Sequence, residues 1–208
     1  MNFIFSNLNV IVLVIWLLFL ALVAIRYFRP AWPVRALSSH WLIAIAIGLH
    51  LFYGLFVSWG QYYVWATSGD FTRIFINSPL PAEVPFWSWA RPIFSNHLGY
   101  FLHYVLGRFW LNIFVLFLFS ISLYFLFKIW RFYRGGFLAE GPELLLILML
   151  ISGWPGVLVS VSLGFILSII SLGFFYFKGK RVVNIEPIFI FATFFSLLFA
   201  RSILNVLQ

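Results

Sequence analysis

The sequence predicts an all-α fold: a polytopic helical bundle embedded in a membrane, with five to six membrane segments including a short helical hairpin. Three observations carry this. Of the 208 residues, 64% are hydrophobic and only 9% charged, against about 45–50% and about 25% in an ordinary soluble domain, so too few polar side chains remain to cover a globule of this size. The apolar residues gather in long runs separated by short basic or proline-bearing stretches. Aromatic residues (28 Phe, 10 Trp, 9 Tyr) make up 23% of the chain, and several stand near the ends of those runs, where a ring can keep one edge wet. Residues 1–208 read as a single membrane domain.

The first run covers about residues 8–25. No basic n-region precedes it and no small-residue cleavage pattern follows, which marks a retained membrane helix rather than a cleaved signal peptide. Arg26, Arg29 and Arg35 come next. The second run covers 41–58. Residues 59–108 are rich in aromatics and carry Pro81, Pro85 and Pro92 around Trp87 and Trp89. Proline ends helices and favours extended backbone, so this stretch is expected to be an external segment lying along the membrane face or folded over the helices as a cap. The part written SNHLGYFLHYVLGRFW is long enough for a short interfacial helix. The third run, 109–127, is closed by Lys128, Arg131 and Arg134.

A short run at 143–151 follows, then a Gly-Trp-Pro-Gly turn, a full-length run at 157–177 ended by Lys178, Lys180 and Arg181, and a last run at 187–203. Ten apolar residues make about 15 Å of helix, half of the roughly 30 Å that a bilayer requires. The short segment therefore either recruits residues from Phe137 onward to cross, or dips in and returns as one arm of a hairpin. Within 157–177, Ser160, Gly164 and Ser168 recur every four residues, a stripe along which another helix can approach closely. Internal helix packing accounts for it, and an oligomer formed through Ser160, Gly164 and Ser168 is the alternative.

The formal net charge is +8. The basic residues flank apolar runs and form no long tract, so the balance sets membrane orientation and does not indicate a nucleic-acid partner. The three clusters after runs one, three and five hold nine of the thirteen Lys and Arg. Placing them in the cytoplasm puts the N-terminus, residues 59–108 and the C-terminus outside. Cysteine is absent, which removes disulfides, thiolate nucleophiles and Cys-ligated zinc. His40, His50, His97 and His103 form no i,i+3 or i,i+4 pair, so no helix-face metal site is written here. His50, inside the second run, is expected to bond a neighbouring helix. No glycine-rich phosphate loop and no Gly-x-Ser-x-Gly elbow is present, and no cofactor is indicated.

Chemistry must come from few acids: Asp70, Glu83, Glu140, Glu143 and Glu186. Carboxylates beside a membrane core are costly and tend to have a job. Glu140 and Glu143 head the short run. A helix starting at Pro142 would put Glu143 in its first turn, where proline fits and acids complement the helix dipole. Hydrolysis of the aspartyl type would instead need two carboxyls that share a proton and activate a water.

From Gly135 to the C-terminus, about a third of the chain, the sequence resembles the C-terminal half of the type IV prepilin leader peptidases, polytopic aspartyl proteases with a Gly-x-Gly-Asp motif. The residues that carry this are AEGPELLLILMLISGWPGVLVSVSLGFILSII, then KGKR, then NIEPIFIFA. The family's motif opens an apolar run ending in Leu-Gly-Trp, followed by another helix, a basic turn and a proline-bearing start to the last helix. Gly141 or Pro142 stands where the family has its aspartate, and the family's cysteine zinc motif is absent. The resemblance implies a degenerate relative without standard aspartyl peptidase activity, in the bacterial cytoplasmic membrane, with a prepilin-like helix or a pilus or secretion assembly as partner. Were it an aspartyl-type membrane endopeptidase, Glu140, Glu143 and Asp70 would be its catalytic candidates. The alternative is a non-enzymatic membrane bundle, a small transport or assembly subunit.

Overall fold

The computed structural model describes residues 7–29, 37–82, 90–134, 140–178 and 184–207. Arg35, Glu83, Pro85, Trp87, Trp89, Phe137, Lys180 and Arg181 lie outside the described residues. Among those described there are eight α-helices and no strand. They are α1 Leu8–Phe28, α2 Ser39–Thr67, α3 Asp70–Ile76, α4 Gly99–Val105, α5 Leu111–Arg134, α6 Gly141–Ser152, α7 Gly156–Phe177 and α8 Glu186–Leu207. Leu8–Phe28, Ser39–Thr67, Gly99–Tyr133 and Gly156–Phe177 are each long and apolar enough to cross a membrane. The all-α, membrane-spanning expectation is met.

The chain divides into two compact units. The first comprises Met1–Gly48 and Val115–Gln208. Its centre is α6, packed against α1, α7 and α8. Along α6 every residue from Gly141 to Ser152 is buried except Glu143, which is half-buried, and Leu145, Ile147 and Ile151 are wholly inaccessible. Twelve residues make about 18 Å of helix, too short to cross a bilayer. The helix instead has nearly all of its surface covered by protein. It starts one residue earlier than the proline suggested, with Glu140 at the N-cap and Pro142 in the first turn. It stops at Gly153, whose φ of 65° is a left-handed conformation that glycine adopts without a Cβ clash.

The Gly-Trp-Pro-Gly turn sends α7 back, and α7 runs antiparallel to α8. The Ser196 hydroxyl donates to the Gly156 carbonyl at 2.7 Å, Ser160 and Thr193 hydroxyls meet at 3.1 Å, and a Cβ on Gly164 would come within 2.6 Å of the Phe189 ring. The stripe Ser160, Gly164, Ser168 is therefore buried inside the chain against α8, the internal of the two arrangements its spacing allowed. The same register sets Ser168 beside the start of α8. The last nine residues of α7, Ile169–Phe177, run on past that point, with Ile169, Ile170, Phe174, Tyr176 and Phe177 exposed.

The second unit, Leu49–Phe114, holds the rest of α2, α3, a 3-10 turn at Arg91–Phe94, α4 and the start of α5. The second helix does not stop near Ser58: α2 continues to Thr67. Within SNHLGYFLHYVLGRFW the helix begins at Gly99 and is continuous with the third span, because a π-helical turn at Leu106–Trp110 carries the backbone from α4 into α5 without a break. Trp65 explains the length of α2. Its ring contacts those of Phe75, Tyr100, Phe101 and Tyr104 at centroid distances of 4.9–6.4 Å, and such pairs favour a fixed geometry beyond simple burial. Close approach of α2 to α5 is permitted by Gly54, where a Cβ would meet Ile113 at 2.8 Å. Trp110 Nε1 donates to Ser58 Oγ at 3.1 Å. His50 is buried in this unit and engaged in an interaction.

Candidate functional site

Two of the first unit's acids, Glu140 and Glu143, and the side chains that engage them meet at the N-terminal end of α6. Arg26, in the last turn of α1, donates from Nη2 to Glu140 Oε2 at 2.6 Å. Ser39, the first residue of α2, donates to the same oxygen at 2.7 Å. The pair is lopsided: the Arg26 side chain is 13% exposed and that of Glu140 61%. Arg26 Nε is buried with no hydrogen-bond partner. The guanidinium is thus largely removed from water, and Glu140 is the carboxylate that balances it.

Glu143 lies in the first turn of α6 and faces α5. Tyr124 Oη donates to Glu143 Oε1 at 3.3 Å, and Lys128 Nζ donates to Tyr124 Oη at 3.0 Å, giving a short relay from a basic side chain to the carboxylate. The other oxygen, Glu143 Oε2, is buried and unpartnered. A buried carboxylate oxygen without a donor is costly and asks for an explanation. Glu186, at the start of α8, is 2% exposed and engaged in an interaction. Tyr27 of α1 lies within range of its charge.

Three basic segments predicted to share a membrane face are therefore represented at one end of this unit. Arg26 is on Glu140, Lys128 reaches Glu143 through Tyr124, and Lys178 ends α7 with its Nζ 4.5 Å from the Phe174 ring centroid. Among the described residues no group of three His, Cys, Asp or Glu side chains gathers in a way that could hold a metal ion.

Of the three acids proposed from sequence, the structure brings Glu140 and Glu143 to one helix end and leaves Asp70 in the second unit. There Asp70 opens α3 with its side chain fully exposed, paired with Arg73 at 3.5 Å. Asp70 thus has a local partner of its own. Sequence reasoning named the glutamates but not the residues that engage them: Arg26, Ser39, Tyr124 and Lys128. One signal was available. In a chain with thirteen cations and five acids, any cation withdrawn from water needs one of the few carboxylates.

Compared with protein-family models, curated proteins and solved structures, the chain matches none.

Proposed function

We propose that this chain is a multi-pass membrane protein resembling a degenerate prepilin peptidase, and that it works as an assembly subunit without aspartyl peptidase chemistry. The observation that carries the proposal is the state of Glu140. Its Oε2 accepts from both Arg26 and Ser39, which ties it to the ends of α1 and α2. An aspartyl pair needs two carboxyls close enough to share a proton. Glu140 is instead committed to a guanidinium and a hydroxyl, with no second carboxyl among its hydrogen-bond partners in the described residues. Asp70, the only aspartate, forms its ion pair with Arg73. The acids at the mouth of α6 then act as structural counter-charges. In the same reading the basic end faces the cytoplasm of a bacterial cell, and the partner is a pilus or secretion component.

A second reading is favoured by one observation, the unpartnered buried oxygen of Glu143. A carboxyl oxygen without a protein partner is free to engage a substrate group, as a catalytic acid or base must. The two readings separate in a prepilin reporter assay with the wild-type chain, Glu140→Gln and Glu143→Gln, following the cleaved fraction of a co-expressed prepilin. Assembly without cleavage predicts an uncut reporter in all three. Cleavage by the wild type that Glu143→Gln abolishes would overturn the proposal in favour of the second reading.

A further inference from the structure

At 1.5 Å per residue, about 20 residues cross a 30 Å hydrocarbon layer, and α2 has 29. Counted from Ser39, a stretch of that length ends near Ser58. Trp59, Tyr62 and Tyr63 follow, 39–47% exposed, and exposed Trp and Tyr rings gather at the level of the lipid headgroups. Thr67, Ser68 and Gly69, all exposed, then lead into α3. Two side chains of α3 fold back on this end of α2. The Thr72 hydroxyl donates to the Trp65 carbonyl at 2.8 Å, and Arg73 Nε donates to the Ala66 carbonyl at 2.9 Å. Trp65 lies two residues past Tyr63, about 3 Å along the helix axis. These two bonds therefore hold the first turn of α3 near the depth of the aromatic belt of α2.

The helix is two-faced. At 100° per residue, Phe71, Ile74 and Phe75 fall within one arc of about 100°, with Asp70 and Arg73 outside it. Phe75 packs inward on Trp65 and Tyr100. Phe71 touches only the edge of Phe75 among described rings and is 73% exposed, and Ile74 is 58% exposed. The backbone at this corner is fitted to scarce water. Thr67 and Ser68 hydroxyls donate to the Tyr63 and Val64 carbonyls, so with Thr72 and Arg73 four successive carbonyls of α2 accept from side chains. Water commonly serves such carbonyls at a helix end, and protein must serve them where water is excluded. We infer that α3 is an interfacial anchor, with Phe71 and Ile74 set among the headgroups and upper acyl segments of a phospholipid bilayer. The apolar, lipid-facing surface of α2 thereby continues onto α3 and fixes the depth of that end of the span. The inference does not depend on whether the chain cleaves prepilins.

Asp70 pairs with Arg73, so the polar face carries no net charge, and the probe is a vesicle of zwitterionic phosphatidylcholine. The full chain has no cysteine, so a nitroxide can be attached at one introduced cysteine at a time: Phe71→Cys, Ile74→Cys, Asp70→Cys and Phe52→Cys. Phe52 is 67% exposed well inside the span, and the Asp70 side chain is fully exposed on the polar face. Electron paramagnetic resonance then reads collisions with oxygen, which concentrates in lipid, and with a water-soluble nickel chelate. The oxygen-to-nickel ratio at 71 and 74 should lie above that at 70 and below that at 52, with both labels mobile. A ratio no higher than at 70 would put the face in water. A ratio equal to that at 52 would put it in the hydrocarbon centre. A label immobilised and shielded from both reagents would show a protein cover, from this chain, a second copy or a partner. Each of these would overturn the inference. Phe71 and Ile74 are independent reporters on exposed positions, so the test stands on Ile74→Cys should loss of the Phe71 ring disturb Phe75.

Discussion

Replacing Glu140 by alanine should destabilise the protein more than replacing its partner Arg26 by leucine. The reason is the unequal burial of the pair, 13% exposed for the Arg26 side chain against 61% for Glu140. Without Glu140, a mostly covered guanidinium loses its counter-charge, and Arg26 Nε already lacks a hydrogen-bond partner. Stranding a charged group in this way costs about 2–3 kcal/mol, at the low end for buried pairs because some solvent access remains. Without Arg26, the Glu140 carboxylate turns to water, keeps Ser39 as donor, and loses a partner worth about 0–1 kcal/mol at an exposed site. Leucine meanwhile refills part of the volume of the arginine stem. At roughly 2–4 °C per kcal/mol for a chain of this length, Glu140→Ala should lower the melting temperature by about 5–10 °C and Arg26→Leu by about 3 °C or less. The assay is thermal unfolding in a single detergent, followed by circular dichroism. The double variant is the informative one: Arg26→Leu should restore most of what Glu140→Ala removed, since it takes away the stranded charge. If Arg26→Leu alone costs as much as Glu140→Ala, or if the double variant is no better than Glu140→Ala, the pair is not organised around a buried cation and the reasoning fails.

Two further outcomes are expected. A methyl group at Gly164 would come within 2.6–2.8 Å of three atoms of the Phe189 ring, and that ring is 1% exposed and unable to swing away. Gly164→Ala should therefore cost about 1–3 kcal/mol, as overpacked cores do, and Phe189→Leu in the same chain should recover part of it in the same melting assay. Because the sequence contains no cysteine, single cysteines introduced at Asp70 and at Glu140 can be labelled with an impermeant thiol reagent in intact cells. The charge-derived orientation requires labelling at position 70 and none at position 140 until lysis, and labelling of both, or of neither, in intact cells would refute it.

Much of the architecture was legible because the governing forces are local. Hydropathy and length marked the long spans, a four-residue stripe of small side chains marked the α7 face that α8 meets, and proline with a following acid marked the start of α6 to within one residue. The rest depended on contacts between distant residues. Nothing between Trp59 and Thr67 reads as membrane helix, yet α2 continues there because Trp65 is held by rings from α3 and α4. Gly107 and Arg108 look like the end of a loop, but the π-turn absorbs them into a continuous helix. Glu140 and its partners are 114 and 101 residues apart. Arg26 reads naturally as one member of an orienting cluster, and only the fold shows that it is set apart from Arg29 by being covered.

The half-length helix is best understood through what surrounds it. A segment of 12 residues exposed to lipid would leave about 12 Å of a 30 Å hydrocarbon layer unspanned and its terminal backbone groups without partners. Burial removes that problem, because α6 meets α1, α7 and α8 and its apolar side chains are spent on protein contacts along their whole length. Burial creates another requirement: the helix start still needs charge compensation and attachment to its neighbours. Glu140 and Glu143 supply both, one reaching the ends of α1 and α2 through Arg26 and Ser39, the other reaching α5 through Tyr124. The two acids stand at the mouth of a short segment because that mouth is the junction where the ends of separate helices are fastened together. Their position follows from the construction of the bundle, before any catalytic role is assigned to them.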